Sequence, residues 1–385
     1  KNIQLFYLCS FLFEICRTIF YGISSLFLLQ VLNLDLYQIS LIKMFGPIAI
    51  SIFEIPTGIF ADKFGRKINF IISGFISSIG FLIYAFSSNV WHAAIAESLY
   101  SIGLAFQTGS LDALLISQAK EFNFSTSKIL SKHHVYKISG IVIGGTLGII
   151  LSFNNMRLPW LFGAFGFPIV GLIAMLIDGS SQKITKNFSS LLKGLRNYFN
   201  NNKVIYLSIL NMGITLVNIP FFNYWQIFME VSLGVERRSI QFIIIFILYN
   251  ILMILGSLLA PYFAKKLGNI NNLFIFSVLV AVPSITFVLT KNFWIAIFSF
   301  LISEFARGVF LPSFFFIFNK NIEEKGRSIY LSQLSMITRL FSILAHLTSS
   351  IVAKHTNDIE LNIYILSLVG LAMSLTSLIA MKRKQ

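Results

Sequence analysis

The sequence predicts an all-α membrane protein of about twelve transmembrane helices, arranged as two pseudo-symmetric six-helix halves. Three observations carry that expectation. The 385 residues are 56% hydrophobic and only 12% charged, whereas a soluble domain carries roughly 25% charged residues to cover its surface. Apolar runs of about 20 residues recur along the whole chain. A short motif after the second run also returns after the eighth.

In hydrocarbon every backbone N–H and C=O must find a partner inside the protein, which leaves helices or closed barrels. These runs are too long and too continuously apolar for the alternating strands of a barrel. Spans are expected at 4–32, 38–60, 68–87, 91–118, 133–153, 158–178, 204–230, 239–263, 271–290, 293–318, 328–353 and 360–381. The first run is long and no small-residue cleavage site follows it, so it reads as a span and not as a signal peptide. The most polar stretch, 179–203, is rich in Lys, Ser and Asn and reads as a cytoplasmic linker between halves 1–178 and 204–385. Its Leu191, Leu192, Leu195 and Tyr198 suggest a short amphipathic helix on the membrane surface. Duplicated halves are suggested by Phe60-Ala61-Asp62-Lys63-Phe64-Gly65, echoed in the matching loop by Phe263-Ala264-Lys265-Lys266-Leu267-Gly268.

A net charge of +15 invites a nucleic-acid reading, which the placement of the charge rejects. Lys and Arg sit in short stretches between apolar runs, as topology signals do. On one side of the membrane lie only Arg157, Arg237, Arg238, Lys291 and Lys354. All the others, Lys137 at the start of span 5 counted with them, fall on the opposite side, save Arg17, Lys43, Arg307 and Arg339 inside spans. With an even number of spans, both termini are cytoplasmic. Cys9 and Cys16 stand seven apart on one helix, too far to bridge each other, and read as buried thiols.

Between spans 2 and 3 stands Gly58-Ile59-Phe60-Ala61-Asp62-Lys63-Phe64-Gly65-Arg66-Lys67. Gly65 allows a tight turn, Asp62 can bond helix-end amides, and Arg66 and Lys67 hold the cytoplasmic side. The segment resembles the signature loop of the major facilitator superfamily. That resemblance implies a twelve-helix fold and a role for Asp62 and Arg66 in locking the halves on the cytoplasmic side. Glu54-Ile55-Pro56-Thr57-Gly58, Thr108-Gly109-Ser110-Leu111-Asp112-Ala113-Leu114-Leu115 and Gly326-Arg327-Ser328-Ile329-Tyr330-Leu331-Ser332 resemble bacterial efflux or resistance members. Gly140, Gly144, Gly145 and Gly148 in span 5 form a small-residue face that lets two helix backbones approach. The face is similar to the antiporter motif of drug exporters, without the usual Pro, and span 4 carries Glu97 where proton-coupled drug exporters have a buried Arg.

Ionisable groups at bilayer depth cost a few kcal/mol or more unless paired or wet, so each is a functional candidate. Glu14 lies about ten residues into the first span, roughly 15 Å deep at 1.5 Å per residue, and Arg17 shares its face. Glu304 and Arg307 repeat the arrangement in span 10, and Arg339 lies at similar depth in span 11. In the fold the resemblance implies, helices 1 and 10 line the central cavity. The two acids stand against three Arg, whose forks suit carboxylate or phosphate. The expectation is a small organic solute bearing an anionic group, with Glu14 or Glu304 exchanging a coupling proton. Paired charges that merely hold helices in register are the structural alternative.

Lys43, near the outer end of span 2, is expected to snorkel. Glu54 and Asp112 are expected in the gate network, Glu97 either as a proton port or simply wet, and His346 as packed and hydrogen-bonded. His133 and His134 point different ways, which is poor metal-ligand geometry. Asn218, Tyr224 and Trp225 make span 7 a candidate wall for a bulky polar molecule, and Pro220 gives that helix a reason to bend.

No His-Glu-x-x-His, paired catalytic Asp, Cys cluster or nucleotide loop is present in the sequence. An enzyme is not expected, and neither is a cofactor or a metal. The expected activity is proton-coupled export from the bacterial inner membrane by a monomer. Its partners are protons, a small-molecule substrate and the bilayer, with no nucleic acid. Uptake of an anionic metabolite, such as a carboxylate siderophore, is the alternative, and a receptor that binds without transport is a third class.

Overall fold

A computed structural model describes residues 2–108, 114–115, 126–177, 198, 201–322 and 327–383. The chain runs through α1 (Asn2–Thr18), α2 (Ser24–Gln30), α3 (Leu36–Phe64), α4 (Arg66–Ala85), α5 (Val90–Gln107), α6 (Thr126–Ser152) and α7 (Leu158–Met175). After the centre come α8 (Asn202–Ile227) with a π-helical turn (Phe228–Ser232), α9 (Ile240–Leu267), α10 (Asn269–Leu289), α11 (Phe293–Lys320), α12 (Arg327–Thr356) and α13 (Ile359–Arg383). The described chain is helical throughout, and ten of its helices are long and apolar enough to cross a membrane. Those ten correspond to every expected span except the first and the fourth. The first span is broken after Thr18, where short-range bonds from Tyr21 N to Thr18 O and from Ile23 N to Phe20 O form a turn. The fourth, α5, carries His92, Glu97 and Gln107, which lower its apolar content.

Helix starts follow local chemistry. Asn89, Asn201 and Asn292 each accept from backbone N–H groups of the first turn that follows, which satisfies donors the helix leaves orphaned. The chain gathers into two compact units, Lys1–Leu34 with Ile42–Thr185 and Arg237–Ile243, and Asp35–Leu41 with Lys186–Glu236 and Ile244–Gln385.

Within the first unit α1 packs on α6 and α7, and α4 packs on α5 and α7. The second unit repeats the plan, with α8 on α12 and α13, and α10 on α11 and α13. The repeated hexapeptide marks the same joint in both. Gly65 separates α3 from α4 at φ 94°, and Gly268 separates α9 from α10 at φ 79°. Each therefore holds a backbone conformation that side chains with a Cβ rarely adopt.

Each unit has an aromatic core. In the first, Trp160 stacks on Tyr84 (4.1 Å) and Phe20 (4.6 Å), with Phe81 edge-on. In the second, Phe300 meets Phe221, Trp225 and Phe287 at 5.4–5.5 Å. Large apolar side chains such as Ile52, Ile59, Phe162, Phe165, Leu258 and Phe298 are exposed, as suits a protein whose solvent is lipid. Cys9 and Cys16 are free and buried. The expected linker helix lies outside the described residues, save Tyr198, which is buried and hydrogen-bonded to Ser208 at 2.5 Å.

Candidate functional site

Among the described residues three buried carboxylates organise the polar interior, two in the first unit and one in the second. Glu14 is 4% exposed. Arg17 meets its Oε2 through both Nε and Nη2 at 2.6 Å, and the Lys137 ammonium stands 3.9 Å from its Oε1. Arg17 Nη1 also donates to the Tyr21 hydroxyl at 2.9 Å. Two features of the sequence put these groups together. α1 stops at Thr18, so Arg17 occupies its last turn, where the helix dipole favours a cation. Thr18 supports the break by donating to Glu14 O at 2.7 Å and to Ile141 O at 3.2 Å. The second feature is the glycine face of α6. A Cβ on Gly140 would stand 2.6 Å from Phe11 O, and one on Gly144 the same distance from Ile15 O. The two backbones are therefore in contact. Lys137 lies one turn before Gly140 on that face, which delivers it to Glu14.

The second carboxylate is Glu97 on α5, 8% exposed. Its Oε2 accepts from the Tyr84 hydroxyl at 2.5 Å, and Lys43 Nζ lies 3.8 Å away. Lys43 does not snorkel. It turns inward over the Phe20 ring (5.5 Å) with its side chain 15% exposed. A nearby carboxylate outweighs the path to the interface. Nor is Glu97 simply wet.

In the second unit Glu304 is 1% exposed and accepts from Arg307 Nη2. The same Nη2 lies 3.3 Å from Met253 Sδ, and the guanidinium sits 4.1 Å above the Phe222 ring, a desolvated cation–π geometry. Gly256 and Gly308 bring α9 and α11 together here, each facing backbone of the other helix. Arg307 Nε is buried without a hydrogen-bond partner among the described residues. Arg339 and Asn218 are half-buried on α12 and α8.

Tyr224 and Trp225 are committed to packing. Tyr224 donates to Leu36 O at 3.0 Å and accepts from Ser349 at 3.3 Å, while Trp225 packs on Tyr249 and Phe300. His346 is packed and bonded to Asn223 at 3.2 Å. His133 is buried against Ser10 while His134 is exposed. Pro220 sits inside α8, ahead of the π turn.

The signature segment spans the end of α3 and the start of α4. Lys67 donates to Met175 O and Ile177 O at 2.6 and 2.7 Å, holding the carbonyls that end α7. Thr57 Oγ1 donates to Ala105 O at 3.3 Å, tying α3 to α5. Glu54, Asp62 and Arg66 are half-buried along the same stretch, and Gly58 is exposed. Asp112 lies outside the described residues. The model of the Major Facilitator Superfamily matches residues 6–346.

The chain belongs to the major facilitator superfamily. Among curated relatives this facilitator is 24% identical over 249 residues to YxaM of Bacillus subtilis, an uncharacterized MFS-type transporter. The match covers 62% of this chain and 61% of YxaM, so under two thirds of that relative's length is spanned. A class H tetracycline resistance protein of Pasteurella multocida is 26% identical over 132 residues, covering 34% of this chain and 32% of that protein. Among solved structures the nucleoside transporter NupG superposes with a TM-score of 0.84 at 16% identity, covering 98% of each chain. An inward-facing bacterial homologue of the human lysosomal transporter Spinster gives 0.75 at 14% identity, covering 98% and 93%. These likenesses show the fold. The protein is a multi-pass membrane protein of that superfamily.

Sequence reading paired Glu14 with Arg17 and Glu304 with Arg307, and each pair is formed. It missed Lys137, which it counted among the cytoplasmic-side charges, and the partners Tyr84, Met253 and Phe222. The signal for Lys137 was present, because it shares the face of Gly140, Gly144 and Gly148. The others carry none, since their contacts depend on how separate helices cross.

Proposed function

We propose that this facilitator is a proton-coupled secondary active transporter that exports a small organic solute bearing an anionic group, by alternating access. The observation that carries the reading is the charge balance around Glu14, where one buried carboxylate is faced by two cations, Arg17 and Lys137. Two cations set around one carboxylate make this region electropositive, which favours an anionic ligand and disfavours a lipophilic cation. In the second unit Arg307 satisfies Glu304 and still has an unused buried N–H, and Arg339 adds a further cation. Guanidinium forks suit carboxylate and phosphate.

Export is supported by the tetracycline resistance relative. In this reading halves 1–178 and 204–385, joined by the linker 179–203, rock about the central site. Glu54, Asp62, Arg66 and Asp112 serve the cytoplasmic gate, both termini face the cytoplasm of a bacterium, and the protein works as a monomer.

The test is flux in proteoliposomes under an imposed pH gradient, with carboxylate metabolites, carboxylate siderophores and cationic dyes as solutes. Wild type is expected to move an anionic solute outward, and Arg307→Gln and Arg339→Gln to lose most of that flux. Movement of cationic dyes that ignores both substitutions would sink the proposal.

A further inference from the structure

The sequence singles out Glu14 and Glu304 for the coupling proton, but the geometry around Glu97 is better suited to it. At Glu14 each carboxylate oxygen faces a cation, so a proton there would leave two cations beside a neutral acid. At Glu304 a proton would strand a guanidinium that is 13% exposed and, being Arg, cannot release its own proton. Glu97 is held more loosely. Its one ion-pair partner among the described residues is Lys43 at 3.8 Å, and its tight bond, from Tyr84, comes from a neutral hydroxyl. When Glu97 is neutral, Lys43 keeps the face of Phe20, and an ammonium, unlike a guanidinium, can lose its proton.

Among the described residues, the groups around Glu97 come from three neighbouring helices. Lys43 comes from α3 and Tyr84 from α4, with Trp160 of α7 stacked on that tyrosine at 4.1 Å. From α3 also comes Gly46, where a Cβ would stand 3.0 Å from Glu97 Oε1 and 3.1 Å from Ser101 Oγ. The missing side chain leaves Oε1 room. Tyr100 supplies a second, independent observation. Its hydroxyl is fully buried and has no hydrogen-bond partner among the described residues. It lies three residues after Glu97 on α5 and so shares its face, and its ring meets Phe20 at 5.5 Å. A buried donor is rarely left unused, and this one lies one turn from Glu97 on the same helix.

We infer that Glu97 is the proton-loading carboxyl of the first unit, with Lys43 as the internal cation that replaces the proton when it leaves and Tyr100 as a buried donor one turn away on the same helix face. The inference rests on the proton-coupled reading above. The step is balanced: one Glu97 oxygen forms an O–H bond with a proton from a hydronium ion, whose own O–H bond breaks to leave water, and the reverse transfer to water releases it.

The test uses the full-length protein in proteoliposomes and an apolar carbodiimide, a reagent that attacks a carboxyl only when it carries its proton. Adducts at Glu14, Glu97 and Glu304 are mapped by mass spectrometry across a pH series. The pH at which each site begins to react is compared, so that differences in access do not decide the result. Glu97 is expected to react at the highest pH of the three. Lys43→Gln is expected to increase Glu97 labelling at neutral pH by about tenfold, as loss of an opposite charge within ~4–6 Å implies. Onset at Glu14 or Glu304 ahead of Glu97, with gradient-driven flux intact, overturns the assignment and spares the coupling reading. No carboxyl labelling, together with flux indifferent to the pH gradient, overturns both. Neither arm needs a Glu97 variant to fold.

Discussion

The Glu304–Arg307 pair allows a stability prediction worked from burial alone. The Glu304 side chain is 2% exposed and that of Arg307 is 13%. Arg307→Gln leaves a carboxylate with almost no access to water, and breaking a buried pair in this way costs about 3–5 kcal/mol. Glu304→Gln strands the guanidinium, which keeps the Phe222 face at 4.1 Å. That contact is worth about 0.5–2 kcal/mol, so the second substitution is the milder one. The double variant replaces both ions with amides that can bond each other, and it should lie within about 2 kcal/mol of wild type. The coupling energy is then at least about 2 kcal/mol. Thermal unfolding of purified protein in one detergent reads the ranking, with wild type and double variant near each other and Arg307→Gln far below. Additive losses in the double variant would refute the argument, because the pair would then not be acting as a pair. The first unit provides a contrast. Arg17 is 25% exposed, and Lys137 still faces Glu14 once Arg17 is gone. Arg17→Gln should therefore cost less than Arg307→Gln, about 1–2 kcal/mol after allowance for screening.

Gly144→Ala places a methyl 2.6 Å from Ile15 O and 2.7 Å from Ile15 Cα, atoms of backbone that cannot swing away. A loss of about 1–3 kcal/mol is expected. Gly58→Ala, with nothing within 4 Å of the new methyl, should be neutral or gain up to about 1 kcal/mol, and the same melting assay separates the two. Gly65→Ala and Gly268→Ala each force a side chain into positive φ and should each lose about 1–3 kcal/mol. Closely matched losses are expected because the two glycines hold one joint of a duplicated plan.

The sequence by itself determined the class of protein and much of its layout. Long apolar runs in a chain poor in charge have one folded solution in lipid, so the helices at α3, α4 and α6–α13 follow from composition and length. The repeated hexapeptide foretold a shared joint, since a glycine between two helices imposes the same local geometry wherever it occurs. Pairs three residues apart, such as Glu14 with Arg17, were readable because a helix fixes which neighbours meet. The break after Thr18 was not, because a single turn inside a continuous apolar run changes its hydrophobicity too little to show. Only the tertiary structure decided that Lys43 turns inward to Glu97, that Tyr84 bonds that carboxylate and that Phe222 lies under Arg307. The physical reason is reach. A charged side chain in a membrane takes the nearest partner that lowers its desolvation cost, and which partner is nearest depends on helix crossings, set by glycine contacts between segments far apart in the chain.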